Sequence, residues 1–181
     1  MQIDTARLRL DALRPQDAQA LFDYRANPQV ARYQGWRPAS IAEAGDFIAC
    51  QADASLARPD SWFQRAIRLR EDGRLIGDAG IHMPGDADGS VEVGISIAPV
   101  CQGRGYAGEA LRALFDLLFV TLGRHRIHAS VDPRNVASMA LLRSLGMRQE
   151  AHFRESLRLH GVWVDDVVFA MLAREWPSHR A

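Results

Sequence analysis

From Val91 to Ile97 the chain alternates apolar and polar or small positions, V-E-V-G-I-S-I, the period of a half-buried strand. Pro99 ends that alternation. Gln102–Ala107, Q-G-R-G-Y-A, then leads into Gly108–Leu122, whose apolar positions recur at helical spacing, so a helix is expected over Tyr106–Leu122, closed by Gly123. The same reading gives a first strand over Arg7–Ala12 and a helix over Pro15–Ala26, with Ala18, Leu21 and Phe22 on one face and Asn27-Pro28 ending it. Ser40-Ile41-Ala42-Glu43 fits a capping box for a helix running to about Ala54. Trp62–Leu69 and Arg74–His82 flank Glu71-Asp72-Gly73 as a hairpin, and Pro84–Gly89 forms a turn. Arg126–Val131 reads as a strand and Asn135–Leu145 as a helix stopped by Gly146. Phe153–Leu159 and Val162–Leu172 make a last hairpin around His160-Gly161.

The resulting order is βααβββαβαββ. The central β-α-β unit demands a parallel pair, whereas the hairpins demand antiparallel pairs. One mixed sheet with helices on both faces meets both demands. The length of 181 residues fits one domain, residues 1–181. Lys plus Arg and Asp plus Glu are equal at 22 each, so no global field draws the protein to nucleic acid or to an anionic membrane, and any anion site must be local. Cys50 and Cys101 match no metal spacing and read as free thiols of a reducing compartment. With no apolar run of about 18 residues and no leader-like N-terminus, a cytoplasmic protein is expected, without membrane or nucleic-acid partners.

A strand, a glycine-rich turn and a helix N-terminus form a cradle for phosphate, where free N–H groups and the helix dipole converge. The chain lacks G-x-x-x-x-G-K-[ST], which excludes a P-loop. It also lacks a G-x-G-x-x-G at an early strand with an acidic residue about 20 residues on, which disfavours a dinucleotide fold.

Gln102, Gly105 and Ala107 spell Q-x-x-G-x-A, which resembles the acyl-CoA-binding motif of the GNAT acetyltransferase superfamily. The resemblance extends over nearly the whole chain and is closest to the RimJ/RimL-like branch that acetylates ribosomal-protein N-termini. It is carried by Thr5–Leu10, Glu92-Val93-Gly94, Gln102–Ala110, Asn135–Ser138 with Leu145-Gly146-Met147, Gly161-Val162-Trp163 with Asp165, and Ala173–Trp176. It implies an α/β (α+β type) GNAT fold, with a mixed, mostly antiparallel sheet and one central parallel pair splayed for CoA. The implied activity is transfer of an acetyl group from acetyl-CoA, as cosubstrate, directly to a primary amine of a protein or peptide N-terminus. A small-molecule amine acceptor, or a non-catalytic acyl-CoA-binding module, is the alternative. The resemblance also admits a homodimer, for which the sequence shows no interface.

For the site, the resemblance implies CoA contacts at Ile95, Ser96, Ile97, Gln102, Gly103, Arg104, Gly105, Tyr106, Ala107 and Asn135, with an oxyanion-stabilising N–H near Ile97. An α-amine, with a pKa of about 7.7–8, is more easily neutral than a lysine, yet it still gains from a base. Glu92 is the candidate base; the competing reading is a carboxylate on the polar strand face. A thiolate-protonating tyrosine would fall at position 142, which is Leu142. Ser138, the branch's alternative, therefore takes that role or simply caps its own helix. Tyr33 and Trp36 line the acceptor pocket or pack in the core. Trp62, Trp163 and Trp176 read as packing residues, and His82 is a minor alternative base. His125 and His128 lack a third ligand, so no metal is expected. Cys101 lacks the partners of a nucleophile. Asp86 and Asp88 form the one acidic cluster suited to a polycation.

Overall fold

The computed structural model describes residues 1–52, 54, 56, 60–83 and 89–177. Eight strands form one sheet: β1 (Ile3–Asp4), β2 (Leu8–Asp11), β3 (Ser61–Leu69), β4 (Leu75–Met83), β5 (Ser90–Ile97), β6 (Arg126–Val131), β7 (Arg148–Leu159) and β8 (Val162–Leu172). Their spatial order is β1-β2-β3-β4-β5-β6-β8-β7. Every pair is antiparallel except β5 with β6. That pair is joined by the crossover helix α4 (Tyr106–Phe115), as a parallel connection requires. The β3–β4 hairpin turns where Gly73 adopts φ 73° and the Asp72 carboxylate accepts from the Arg74 N–H at 2.9 Å.

Strand alternation sends side chains to two cores. On one face α1 (Ala18–Arg25) and α3 (Ile41–Gln51) bury Leu21, Tyr24, Ala44 and Ile48 against Ala66 and Leu75. On the other, α4 and α5 (Val136–Ser144) bury Leu111, Leu114, Phe115 and Leu142 against Val91, Val93, Ile127, Ala129 and Phe169. Each Val, Leu, Ile or Phe side chain so taken from water stabilises the fold by about 1.5–3 kcal/mol, an upper figure given a compact unfolded state. The face carrying Glu92 and Gly94 is thus opposite to the face packed by α4.

The structure departs from the sequence expectation in five places. β1 is a two-residue strand, too short for periodicity to reveal. Asn27-Pro28 does not end the helical region: Asn27 Oδ1 accepts from the Gln29 N–H at 2.9 Å and caps a further turn, α2 (Pro28–Ala31). α3 stops at Gln51 rather than near Ala54. The helix expected through Leu122 becomes a π-helical segment over Asp116–Thr121, where the Leu122 N–H reaches Leu117 O. Trp176 holds this segment, donating from Nε1 to Asp116 Oδ1 at 2.8 Å and meeting Phe115 edge-on. Finally, β7 begins at Arg148, ahead of Phe153. It is a polar, exposed edge strand with two bulges and lacks the alternation that marks a half-buried strand. The Pro84–Gly89 turn, with Asp86 and Asp88, lies outside the described residues except for Gly89.

Candidate active site

The site exists because β5 and β6 part. They share three rungs only, Ser90 with Arg126, Val91 with Ile127 and Glu92 with His128. Beyond Glu92, the edge of Val93–Ile97 that faced β6 is without a strand partner. Two adjoining cavities, of about 550 and 370 Å³, occupy the gap and share Tyr33, Gln34, Ile95, Asn135, Ser138 and Leu141 in their walls.

The larger cavity runs from Ile95, Ser96 and Ile97 to the turn before α4. Gly103 and Gly105 hold φ 73° and 78°, left-handed conformations that glycine adopts without penalty. Gly105 caps α4, and the N–H groups of the first turn, at Tyr106 and Ala107, have no intrahelical acceptor. Gln102 Nε2 donates to Ile97 O at 2.9 Å, locking the turn to the end of β5. Ser96 Oγ is buried without a partner beside this cavity. Of the six turn residues expected at the site, five line the cavity; Arg104 does not, and contributes its carbonyl, which accepts from Arg7 Nη1 at 3.1 Å.

Sequence reading missed the group that holds this turn in place. Glu109, one turn into α4, accepts from Thr5 Oγ1 at 2.6 Å, from the Arg7 N–H at 2.8 Å and from Arg7 Nε at 2.7 Å. Burial alone would raise the Glu109 carboxyl, but these donors outweigh it and hold the carboxyl below the usual range. The Arg7 guanidinium also lies over the Tyr106 ring, 4.6 Å from its centre. No local pattern marks this pairing, because Glu109 and its partners lie about 100 residues apart in sequence.

Glu92 lies in the wall of the smaller cavity together with Trp62, Tyr33, Leu157, Val164 and Asp165. Burial, opposed by His82 and reinforced by Asp166, raises the Glu92 carboxyl above its ordinary value. His82, its register partner on β4, places Nδ1 4.0 Å from Glu92 Oε2. On the other side, His128 directs Nδ1 toward Ser90 Oγ at 3.3 Å, and burial lowers its pKa. Asp166 accepts from Ser130 Oγ at 2.6 Å. Asp132, also in the wall, is neutralised by a fork from Arg134.

Trp62, expected as a core or hairpin packing residue, packs on the β3–β4 hairpin and also lines the smaller cavity. It is 42% exposed and its six-membered ring runs over Gly80 and Gly94, which face each other on β4 and β5. A Cβ at Gly80 would stand 2.7 Å from Trp62 Cε3, so the ring needs that glycine. Trp36 corrects the acceptor-pocket expectation. It stacks on Phe47 at 4.4 Å, donates to Glu43 Oε1 at 3.1 Å and stands outside the cavity walls, because the α3 cap draws it into the smaller core. Tyr33 does reach the site. Its hydroxyl donates to Arg134 O at 3.1 Å and bridges the cavity junction. Its loop is anchored from below: Arg25 Nη1 donates to Gln34 Oε1 at 3.1 Å while the same guanidinium binds the fully buried Asp78, which also accepts from Tyr24 Oη at 2.5 Å and from Gln64.

Asn135 and Ser138 stand at the junction of the two cavities. Asn135 Oδ1 accepts from the Ser138 N–H at 3.1 Å, so Asn135 caps α5 and leaves its amide nitrogen directed elsewhere. Ser138 is capped rather than capping, which leaves its hydroxyl without a structural duty. Among the described residues, no group of three or more His, Cys, Asp or Glu side chains is arranged to hold a metal. Cys101 is buried.

A parted parallel pair, a glycine turn with free N–H groups at a helix N-terminus and a half-buried carboxylate beside the free strand edge fit an acyltransferase that uses a CoA thioester. The chain belongs to the GNAT acetyltransferase family, whose acetyltransferase (GNAT) domain matches residues 7–148. It is 32% identical to the N-acetyltransferase p20 of Bacillus licheniformis over 95% of this chain and 96% of that one. It is 35% identical to the ribosomal protein uS5 alanine N-acetyltransferase of Escherichia coli over 49% of this chain and 45% of that one. Mycobacterium smegmatis RimJ in complex with CoA-disulfide superposes with a TM-score of 0.82 at 26% identity, over 94% of this chain and 84% of that one. GNAT acetyltransferases use acetyl-CoA, and the free β5 edge, the glycine turn and the α4 N-terminus fit its pantetheine arm and pyrophosphate. Among the described residues no helix is long and apolar enough to cross a membrane.

Proposed function

We propose that the protein acetylates the α-amino group of a protein or peptide N-terminus in the cytoplasm. The observation that carries this reading is the position of Glu92, a carboxylate with raised proton affinity in the wall of the smaller cavity, at the last β5–β6 rung and next to the free edge of β5. An α-ammonium with a pKa of about 7.7–8 gives up its proton to such a base far more readily than a lysine at about 10.4. The neutral amine attacks the thioester carbonyl directly. Its developing oxyanion is met by backbone N–H groups of the unpaired β5 segment, an effect worth about 10²–10³ in rate. Ser138, at the cavity junction, donates to the departing sulfur, and Asn135 orients the pantetheine arm. The relative that acetylates an alanine of ribosomal protein uS5 supports the choice of acceptor.

Thiol release from acetyl-CoA, measured against peptides with free Ala or Ser N-termini, Nα-blocked lysine peptides and small amines, tests the assignment. Preferential turnover of the free N-termini is expected. Selective turnover of a small amine would redirect the assignment to that class, and tight CoA binding without thiol release for any amine would leave a binding module.

A further inference from the structure

Trp62, His82, Glu92 and His128 stand in one row across β3, β4, β5 and β6, each in register with the next. Within this row the Nδ1 atom of His82 is shut off from water and has no hydrogen-bond partner. A buried polar atom without a partner is disfavoured, so the resting arrangement leaves that atom a partner short. The carboxylate oxygen facing it is Glu92 Oε2 at 4.0 Å, beyond direct hydrogen-bond distance in the resting arrangement. Trp62 fixes the imidazole from its other side, with ring centres 5.3 Å apart and planes inclined by 31°. The histidine side chain keeps 22% of its surface exposed, so the ring meets solvent away from the sealed Nδ1 atom.

We infer that His82 is the proton exit of Glu92, a positioning and relay residue that clears the carboxyl after each turnover. The inference rests on Glu92 being the base. When the acceptor ammonium loses its proton, an N–H bond breaks and an O–H bond forms on Glu92. The carboxyl, in register with His82 on one side and His128 on the other, then passes that proton to His82 Nδ1. The imidazolium releases its Nε2 proton to water, and rotation of the ring then brings the Nδ1 proton to solvent, where exchange restores the Nε2–H form. No oxidant or second reactant is needed. His128 is the rival for this part, but its Nδ1 is engaged by Ser90 Oγ.

The test compares wild type, His82→Gln, His82→Asn and Glu92→Gln with the best amine of the panel above. Melting temperature and CoA affinity confirm that each variant is folded. The His82 variants should lose about tenfold or more in kcat with KM little changed, against the 10²–10⁴ range for general acid–base groups, and added imidazole should restore much of the loss. Unchanged kcat in the His82 variants, or a loss that imidazole does not repair, overturns the relay even where Glu92→Gln is impaired. A Glu92→Gln enzyme with the wild-type pH–rate profile removes the base itself. A reading independent of acceptor is the 13C titration of the Glu92 carboxyl, whose midpoint should rise in His82→Gln as the neighbouring cation is lost. An unmoved midpoint would show that the two side chains are not coupled.

Discussion

Arg7 Nε donates to Glu109 Oε2 at 2.7 Å across 102 residues of chain. This contact, with the Arg7 Nη1 bond to Arg104 O and the stacking on Tyr106, ties the β1–β2 connection to the turn that precedes α4. The geometry of the turn before α4 is therefore held by a residue that lines neither cavity.

Arg7→Ala should weaken CoA binding without touching the ligand. A net hydrogen bond is worth about 0.5–1.5 kcal/mol, and one to a charged group about 1.5–3, so a loss of about tenfold in CoA affinity is expected, with a melting point lower by a few degrees. Isothermal titration with CoA checks the first and calorimetry the second. Arg7→Lys should recover only part of the loss, because a single ammonium cannot serve Glu109 and Arg104 O together. An Arg7→Ala protein that binds CoA as wild type does would detach this clamp from the cofactor site.

Asp78 is the next point of leverage. It is fully buried and joins Tyr24, Arg25 and Gln64, and through Arg25 it reaches Gln34 in the cavity wall. Asp78→Ala leaves the Arg25 cation buried without its carboxylate partner, a change that costs about 3–5 kcal/mol. Chemical denaturation should show a large drop in midpoint. The milder Asp78→Asn should fold and raise the acceptor KM more than the CoA KM, since the Tyr33 loop is what the network supports.

These two networks also mark the limit of what periodicity and motif could reveal. The alternation of β5 and the Gln102, Gly105 and Ala107 spacing were legible because each is a local pattern with a local physical cause. Glu109 and Asp78 were not, because a carboxylate's partners lie on distant strands and only the folded register shows which charge meets which. Trp36 and Trp62 were placed only by the fold for the same reason. A tryptophan in a loop looks available and one at the start of a strand looks buried, yet a capping Glu43 took the first into the core, and the pair Gly80 and Gly94 left the second lying over the sheet beside Glu92. The parting of β5 and β6 after three rungs has no signature in either strand; Pro99 marks only where β5 ends.

Gly80→Ala tests the Trp62 placement. The new methyl would meet Trp62 Cε3 at 2.7 Å and Gln64 Oε1 at 2.5 Å, so the indole must lift from the sheet or Gln64 must leave Asp78. A cost of about 1–3 kcal/mol is expected for such overpacking. Acceptor KM should rise several-fold while CoA affinity holds, because the larger cavity contains neither residue. Trp62→Phe, which keeps a ring without reaching Gly94, should give the smaller change of the same sign. If Gly80→Ala instead weakened CoA and spared the acceptor, the smaller cavity would not be the acceptor site.

Glu92→Gln should lower activity and raise stability together. Burial, opposed by His82 and reinforced by Asp166, places the folded-state pKa of Glu92 above its unfolded value. For a carboxyl shifted in that direction the ionised form is the one the fold disfavours. At pH values below the unfolded pKa of about 4.3, both states carry the proton and the residue costs nothing. As pH rises through the unfolded and then the folded pKa, the unfolded chain releases its proton first, and the native protein loses stability until both states are ionised. Glutamine, neutral throughout, is spared that loss. Its melting point should match wild type near pH 4 and exceed it at neutral pH, while kcat/KM falls most below the amine pKa, where the substrate arrives as a cation and needs the base. Thermal melts across pH with acetylation rates on the same samples measure both. A variant less stable than wild type at neutral pH would mean that His82 and its neighbours stabilise the carboxylate more than burial penalises it.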